Sequence, residues 1–129
     1  MPDKTILIVE DNQIEREGLA VVLEREGYGV VSAANGKEAL QRLQGKPTPE
    51  VMLLDMMMSE MDGWQLLGLL RHYPALATIP VIIVTGLAIA SDEWARSLRA
   101  SGLVHKPIDM DLLLQQLGTL QASKPLHFT

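Results

Sequence analysis

An α/β doubly wound fold, a parallel sheet of five strands covered on both sides by five helices, is what the sequence predicts. Two observations carry that reading. Short runs rich in Val, Ile and Leu recur along the chain, three of them four residues long without polar alternation, which is how a strand buried on both faces reads. Between the runs lie segments with apolar residues at helical spacing, and strands alternating with helices call for a parallel sheet with helices on its faces. At 129 residues the chain is one domain in length, long enough to bury about two-thirds of its unfolded surface.

The elements follow in order. The first strand is Ile6-Leu7-Ile8-Val9. Asn12 and Glu15 have the spacing of a capping box, opening a helix whose Ile14, Gly18 and Val22 share one face. Gly18 costs a helix about 1 kcal/mol against Ala, so close packing of helix on sheet is expected there. Val30-Val31 is the second strand. Asn35 and Glu38 repeat the capping device before Ala39, Leu40 and Leu43. The third strand is Val51-Met52-Leu53-Leu54, followed by a helix that Asp62 can cap and that carries Leu66, Leu67 and Leu70. The fourth strand is Val81-Ile82-Ile83-Val84. Ser91 or Asp92 caps the next helix, with Trp94 and Leu98 on it and Gly102 as its stop. Leu103-Val104 is the fifth strand, and Asp109 precedes a last helix with Leu113, Leu117 and Leu120. The domain is expected over residues 1–122, with a short polar tail over 123–129.

Composition narrows the function classes. Apolar residues make up 47% of the chain, enough for a real core. Eleven Lys and Arg against sixteen Asp and Glu give a net charge of −5, which argues against a phosphate-binding basic face and hence against nucleic acid as a partner. There is no cysteine, so no disulfide framework, thiolate nucleophile or Cys-ligated zinc. No stretch approaches the roughly 20 apolar residues of a membrane span, and the apolar run near the start is too short for a signal peptide. A soluble cytoplasmic domain without membrane insertion is the expectation.

Ligands of open α/β sheets bind outside the carboxyl ends of the strands, so the residue just past each run matters most. Glu10 and Asp11 follow the first strand, Asp55 the third, Thr85 and Gly86 the fourth, and Lys106 and Pro107 the fifth. Any one of these is an ordinary strand-end charge or helix cap. Together, three crowded carboxylates repel one another and call for a cation. Mg²⁺ suits, because it takes hard oxygen ligands and keeps waters and phosphates in its shell. Lys106 adds a point charge for a phosphoryl oxygen and Thr85 a hydroxyl donor. The constellation reads as a phosphoryl-transfer site.

Those residues also carry a resemblance. Glu10-Asp11 after Ile-Leu-Ile-Val, Asp55 followed by Met56 to Gly63, Pro80 to Thr85-Gly86, and Lys106-Pro107 stand in the order and at the spacing of the receiver domain of two-component response regulators. The chain resembles that family from about Lys4 to Leu120, in its single-domain, chemotaxis-regulator-like form. The resemblance implies a flavodoxin-like sheet of order 2-1-3-4-5. It implies that Asp55 is the phosphoacceptor, taking a phosphoryl group from a histidine kinase or histidine phosphotransfer protein. Glu10, Asp11, Asp55 and the backbone carbonyl of Met57 would hold Mg²⁺; Lys106 would pair with the phosphoryl group and Thr85 would bond it once attached. The Lys106–Pro107 bond would be cis. A downstream protein partner would read the face built from the fourth helix, fifth strand and fifth helix. Dephosphorylation would be slow, so the chain would be a signalling module and not a turnover enzyme.

Two positions depart from the family pattern. Ser59 stands where the family often has Pro. Leu103, three residues before Lys106, stands where many receivers carry an aromatic that turns inward on activation; leucine offers neither ring nor hydroxyl, which implies a smaller movement at that face. Other functions fit less well. An aspartate-nucleophile phosphatase of the haloacid-dehalogenase type would want a second Asp where Met57 stands, and a flavodoxin would want a Ser/Thr/Gly-rich phosphate loop where Glu10-Asp11-Asn12 would repel the flavin phosphate. A degenerate receiver would not be expected to keep Asp55, Thr85 and Lys106. His72, His105 and His127 read as surface or strand-end residues, the methionines at 52, 56, 57, 58 and 61 as packing, and Trp94 as either a partner anchor or a helix-face core contact.

Overall fold

In the computed structural model, residues 4–46 and 48–123 are described. Five parallel strands, β1 (Thr5–Val9), β2 (Gly29–Ala33), β3 (Val51–Asp55), β4 (Val81–Thr85) and β5 (Gly102–His105), form one sheet of order β2-β1-β3-β4-β5. The helices are α1 (Gln13–Arg25), α2 (Gly36–Gln44), α3 (Gly63–Leu70), α4 (Pro74–Ala77), α5 (Asp92–Ser97) and α6 (Met110–Ser123). α4 is a one-turn helix beyond the five expected. Pro74 at its start suits a position whose N–H has no helical partner anyway, and one turn is too short to show a periodicity. The polar tail expected over 123–129 lies outside the described residues apart from Ser123, where α6 ends.

Alternate residues of each strand feed two cores. Leu7, Val9, Met52, Leu54, Ile83 and Leu103 pack with Ala39 and Leu43 of α2, Leu66 and Leu70 of α3, and Ala95 of α5. Ile6, Ile8, Leu53, Ile82, Val84 and Val104 pack on the other side with Leu19 and Leu23 of α1 and Leu113 and Leu117 of α6. β3 and β4 are buried along their whole length, which explains their unbroken apolar runs. Among the described residues no helix is long and apolar enough to cross a membrane.

Three local expectations change. α1 buries Leu19 and Leu23, not the face through Ile14, Gly18 and Val22. Ile14 is 84% exposed, and a Cβ at Gly18 would meet nothing within 4 Å, so close packing is not the reason for that glycine. Both stripes have a period of four; the two leucines bring more apolar surface to the sheet than a stripe containing glycine. The fourth expected helix, α5, is capped by Ser91, which accepts from the Trp94 N–H, and ends at Ser97. The chain turns at Arg99, which has a positive φ of 62°, so Gly102 opens β5 instead of stopping a helix. A side chain there would collide with the Gln116 amide of α6.

The loop after β3 is held by close backbone approach. Gly36 N–H donates to the Met61 carbonyl at 3.0 Å, and a Cβ on Gly36 would overlap that same oxygen. Met61 itself has a φ of 53°, a left-handed turn that swings the chain into α3. There Asp62 and Gln65 form a complete capping box. The Gly63 N–H donates to the Met56 carbonyl at 3.1 Å, which ties together the two ends of the loop carrying Met57.

Candidate functional site

β2 and β3 flank β1 on opposite sides, so the strand order reverses between β1 and β3 and opens a crevice at their carboxyl ends. Glu10 leaves β1 with its N–H bonded to the Ala33 carbonyl of β2. Asp55 is the last residue of β3, in register with Val84 of β4. Thr85 ends β4, and Lys106 follows β5 with its N–H on the Thr85 carbonyl at 2.8 Å. The Lys106–Pro107 peptide is cis. Glu10, Asp55 and Thr85 are the buried polar side chains among the described residues. Parallel strands leave their carboxyl ends along one edge, and that edge collects the polar groups.

Glu10, Asp11 and Asp55 each place a carboxylate oxygen within 4.8 Å of the others. Asp11 is exposed while its two neighbours are buried. Lys106 joins the acids: its Nζ lies 2.6 Å from Glu10 Oε1 and 3.3 Å from Asp55 Oδ2. Part of the counter-charge that crowded carboxylates require therefore comes from the chain itself. Met57, two residues past Asp55, donates its N–H to Asp55 Oδ1 at 3.1 Å. Thr85 Oγ1 accepts from the Leu87 N–H at 3.1 Å, which leaves its hydroxyl proton free to donate; among the described residues it makes no hydrogen bond with the carboxylates.

The electrostatics separate the two buried acids. Burial pushes the Asp55 carboxyl up to about 6, with the charge of Glu10 adding to the rise against the Met57 N–H and Lys106. Burial works on Glu10 in the same direction, but the hydrogen bonds from Lys106 and the Asn12 N–H outweigh it and hold that carboxyl below its ordinary value. Lys106 is disfavoured as a cation by burial, yet its contacts with Glu10, Asp55 and Glu15 raise its pKa. Glu10 is the settled anion of the site, and Asp55 is the carboxylate whose charge is least well compensated.

All the expected side chains thus reach one edge, Thr85 without touching the acids. Three further residues join them that their sequence context did not mark. Asn12 caps α1 by accepting from the Glu15 N–H, but its own N–H donates to Glu10 Oε2. The capping box expected with Glu15 is therefore only half formed, and the Glu15 carboxylate reaches Lys106 Nζ at 3.6 Å instead. Arg16 donates its guanidinium to the Glu10 carbonyl oxygen at 2.8 Å. In α2 the Glu38 carboxylate likewise accepts from Ala34 and not from its N-cap, Asn35. Away from the site, Trp94 packs partly buried and edge-on against Trp64, with ring centroids 6.2 Å apart, and His105 is exposed at the end of β5.

The donor set is three hard carboxylate oxygens, two of them buried and one facing solvent, which fits a divalent cation of the Mg²⁺ type. Comparison with known proteins points the same way. The family model of the response regulator receiver domain matches residues 6–118. The protein PilH of Pseudomonas aeruginosa is 33% identical over 118 residues, covering 91% of this chain and 97% of that protein. The polar-differentiation response regulator DivK of Brucella anthropi is 31% identical over 117 residues, covering 88% and 93%. A solved response regulator receiver protein from Pseudomonas putida superposes with a TM-score of 0.81 at 27% identity, covering 90% of this chain and 96% of that one.

Proposed function

The chain belongs to the response regulator receiver domain family, and from that premise we propose that it accepts a phosphoryl group on Asp55 from the phosphohistidine of a kinase or phosphotransfer protein. The observation that carries this reading is the Asp55 carboxylate, buried at the carboxyl end of β3 with Lys106 Nζ at 3.3 Å and two more carboxylates beside it. In the step, an Asp55 oxygen forms the new P–O bond while the P–N bond to the donor histidine breaks. The imidazole keeps the bonding electrons. Glu10, Asp11, Asp55 and the Met57 carbonyl would hold Mg²⁺, which supplies positive charge to the transferring phosphoryl oxygens. Lys106 exchanges part of its pairing with Glu10 for a phosphoryl oxygen. The Met57 N–H holds the other side of the Asp55 carboxylate in place. The chain acts as a signalling module of a cytoplasmic two-component pathway and turns over no small substrate.

The test is the intact mass after incubation with acetyl phosphate. A gain of one phosphoryl group with Mg²⁺, absent with a chelator, is the expected result. No gain under either condition would overturn the proposal.

The signal is proposed to leave through α5, β5 and α6, the fourth and fifth helices of the sequence reading with the strand between them. A groove of about 410 Å³ lies there, lined among others by Ala95, Leu103, Leu112 and Gln116. Gln116 Nε2 donates to the Leu103 carbonyl at 2.9 Å, which ties α6 to the strand. Signalling needs two states that the phosphoryl group binds unequally. Thr85 supplies the unequal contact, because its free proton can reach a phosphoryl oxygen only if the following loop shifts. Leu103 has no polar group to fix an inner or outer position, so it should respond weakly. With beryllofluoride as the phosphoryl mimic, amide shifts are expected to be large over residues 86–90 and small over 103–105. Equal or larger changes around Leu103 that survive Thr85→Ala would contradict this route.

A further inference from the structure

The Glu15 carboxylate lies 3.6 Å from Lys106 Nζ and half exposed, at the mouth of the site. It is free to be there because the N-cap it was expected to close is closed by another group: the Asn12 N–H donates to Glu10 Oε2. Lys106 thus faces three carboxylates, those of Glu10, Asp55 and Glu15. With a divalent ion in place, the ion and Lys106 together balance Glu10, Asp11 and Asp55. Glu15 is the carboxylate left over. Arg16, next to it, has its guanidinium on the Glu10 carbonyl oxygen and, among the described residues, pairs with no carboxylate.

Resting on the phosphoacceptor reading, we infer that Glu15 is a positioning residue that discriminates between phosphodonors: it holds Lys106 back and repels small, strongly anionic donors such as acetyl phosphate. A donor protein can bring its own cationic surface to Glu15 and cancel the repulsion, whereas a free acyl phosphate cannot. In the discriminated reaction an Asp55 oxygen bonds to phosphorus, the P–O bond to the acetyl group breaks, and acetate leaves with the electron pair. The repulsion rises as the dianionic phosphoryl group approaches Lys106, because Glu15 competes with it for the same ammonium. An exposed charge pair limits the effect to about two- to fivefold.

Glu15→Gln is the informative change. It removes the charge and keeps the shape, and the cap made by the residue's backbone N–H to Asn12 does not depend on its side chain. At saturating Mg²⁺ and low salt, Glu15→Gln should be labelled by acetyl phosphate about two- to fivefold faster than the wild type. The gain should be smaller with phosphoramidate, a donor of lower net negative charge. It should collapse as ionic strength rises to about 0.5 M, where the Debye length falls to about 4 Å. Titration with beryllofluoride, followed by amide shifts, should show tighter binding by a similar factor, a readout that needs no turnover. Glu15→Asp, which keeps the charge, should stay nearer the wild type. Unchanged or slower labelling of Glu15→Gln, a gain indifferent to salt, or unchanged beryllofluoride binding would overturn the inference while leaving the phosphoacceptor reading standing. A wild type that takes no label at all would overturn both.

Discussion

Asp55→Asn is expected to abolish phosphoryl labelling and, in metal-free buffer at pH 7.5, to raise the unfolding free energy by roughly 1–3 kcal/mol. The loss of labelling follows because the amide keeps the shape of the carboxylate but not its nucleophilic oxygen. The gain in stability follows from the raised carboxyl. Asp55 titrates near 6 in the folded chain against an ordinary 3.8, so the folded state prefers its neutral form. That preference is fully present below the unfolded value and is lost as the pH rises through about 6. At neutral pH the wild type bears a buried anion that the variant lacks. Urea unfolding between pH 4 and 7.5 checks the sign: the two proteins should converge toward pH 4, draw apart as the pH rises to about 6, and keep a constant gap above it. Mg²⁺ should narrow the gap by stabilising the wild type. An Asp55→Asn protein less stable than wild type at pH 7.5 without metal would show that the carboxylate is net structural.

Lys106→Met should act in the opposite direction and more strongly. The methionine keeps the unbranched stem, but Glu10 and Asp55, with side chains 8% and 6% exposed, lose their cation. Removing one partner of a buried pair costs about 3–5 kcal/mol; Lys106 is itself 21% exposed, which places this case nearer 2–4 kcal/mol. The pH window comes from both partners. The lowered Glu10 carboxyl contributes stability above its ordinary value of 4.5 and loses it as the pH falls. The raised Lys106 contributes below its ordinary value of 10.5 and loses it as the pH rises through the folded value. The penalty should therefore be fullest near neutrality and shrink in acid. Adding Asp55→Asn to Lys106→Met should cost less than the two separate effects imply, since one of the stranded charges is gone. A Lys106→Met protein as stable as wild type at pH 7.5 would mean that solvent already screens the acids.

What the sequence disclosed depended on how many faces an element buries. β1, β3 and β4 are central, and their unbroken apolar runs gave them away. β2 is an edge strand whose Val30-Val31 is half-buried, so only its middle was legible. The face of α1 was misread because Ile14–Gly18–Val22 and Leu19–Leu23 have the same spacing, and nothing local says which stripe meets the sheet. The site residues Glu10, Asp11, Asp55, Thr85 and Lys106 were legible because a parallel sheet puts the residues after its strands along one edge. Glu15 was not. Its type and spacing satisfy a helix cap, and only the fold reveals that Glu10, five residues earlier, occupies the Asn12 N–H and leaves the Glu15 carboxylate to face a lysine ninety-one residues away.

The phosphoacceptor assignment is tested most directly by locating the label. An acyl phosphate on aspartate can be trapped by borohydride reduction, which converts the labelled residue to homoserine. After incubation with acetyl phosphate and Mg²⁺, reduction and peptide mass analysis should place homoserine at position 55 and nowhere else, with none in samples treated with chelator. Homoserine at position 11, or stable label on a histidine or serine with position 55 unmodified, would contradict the account.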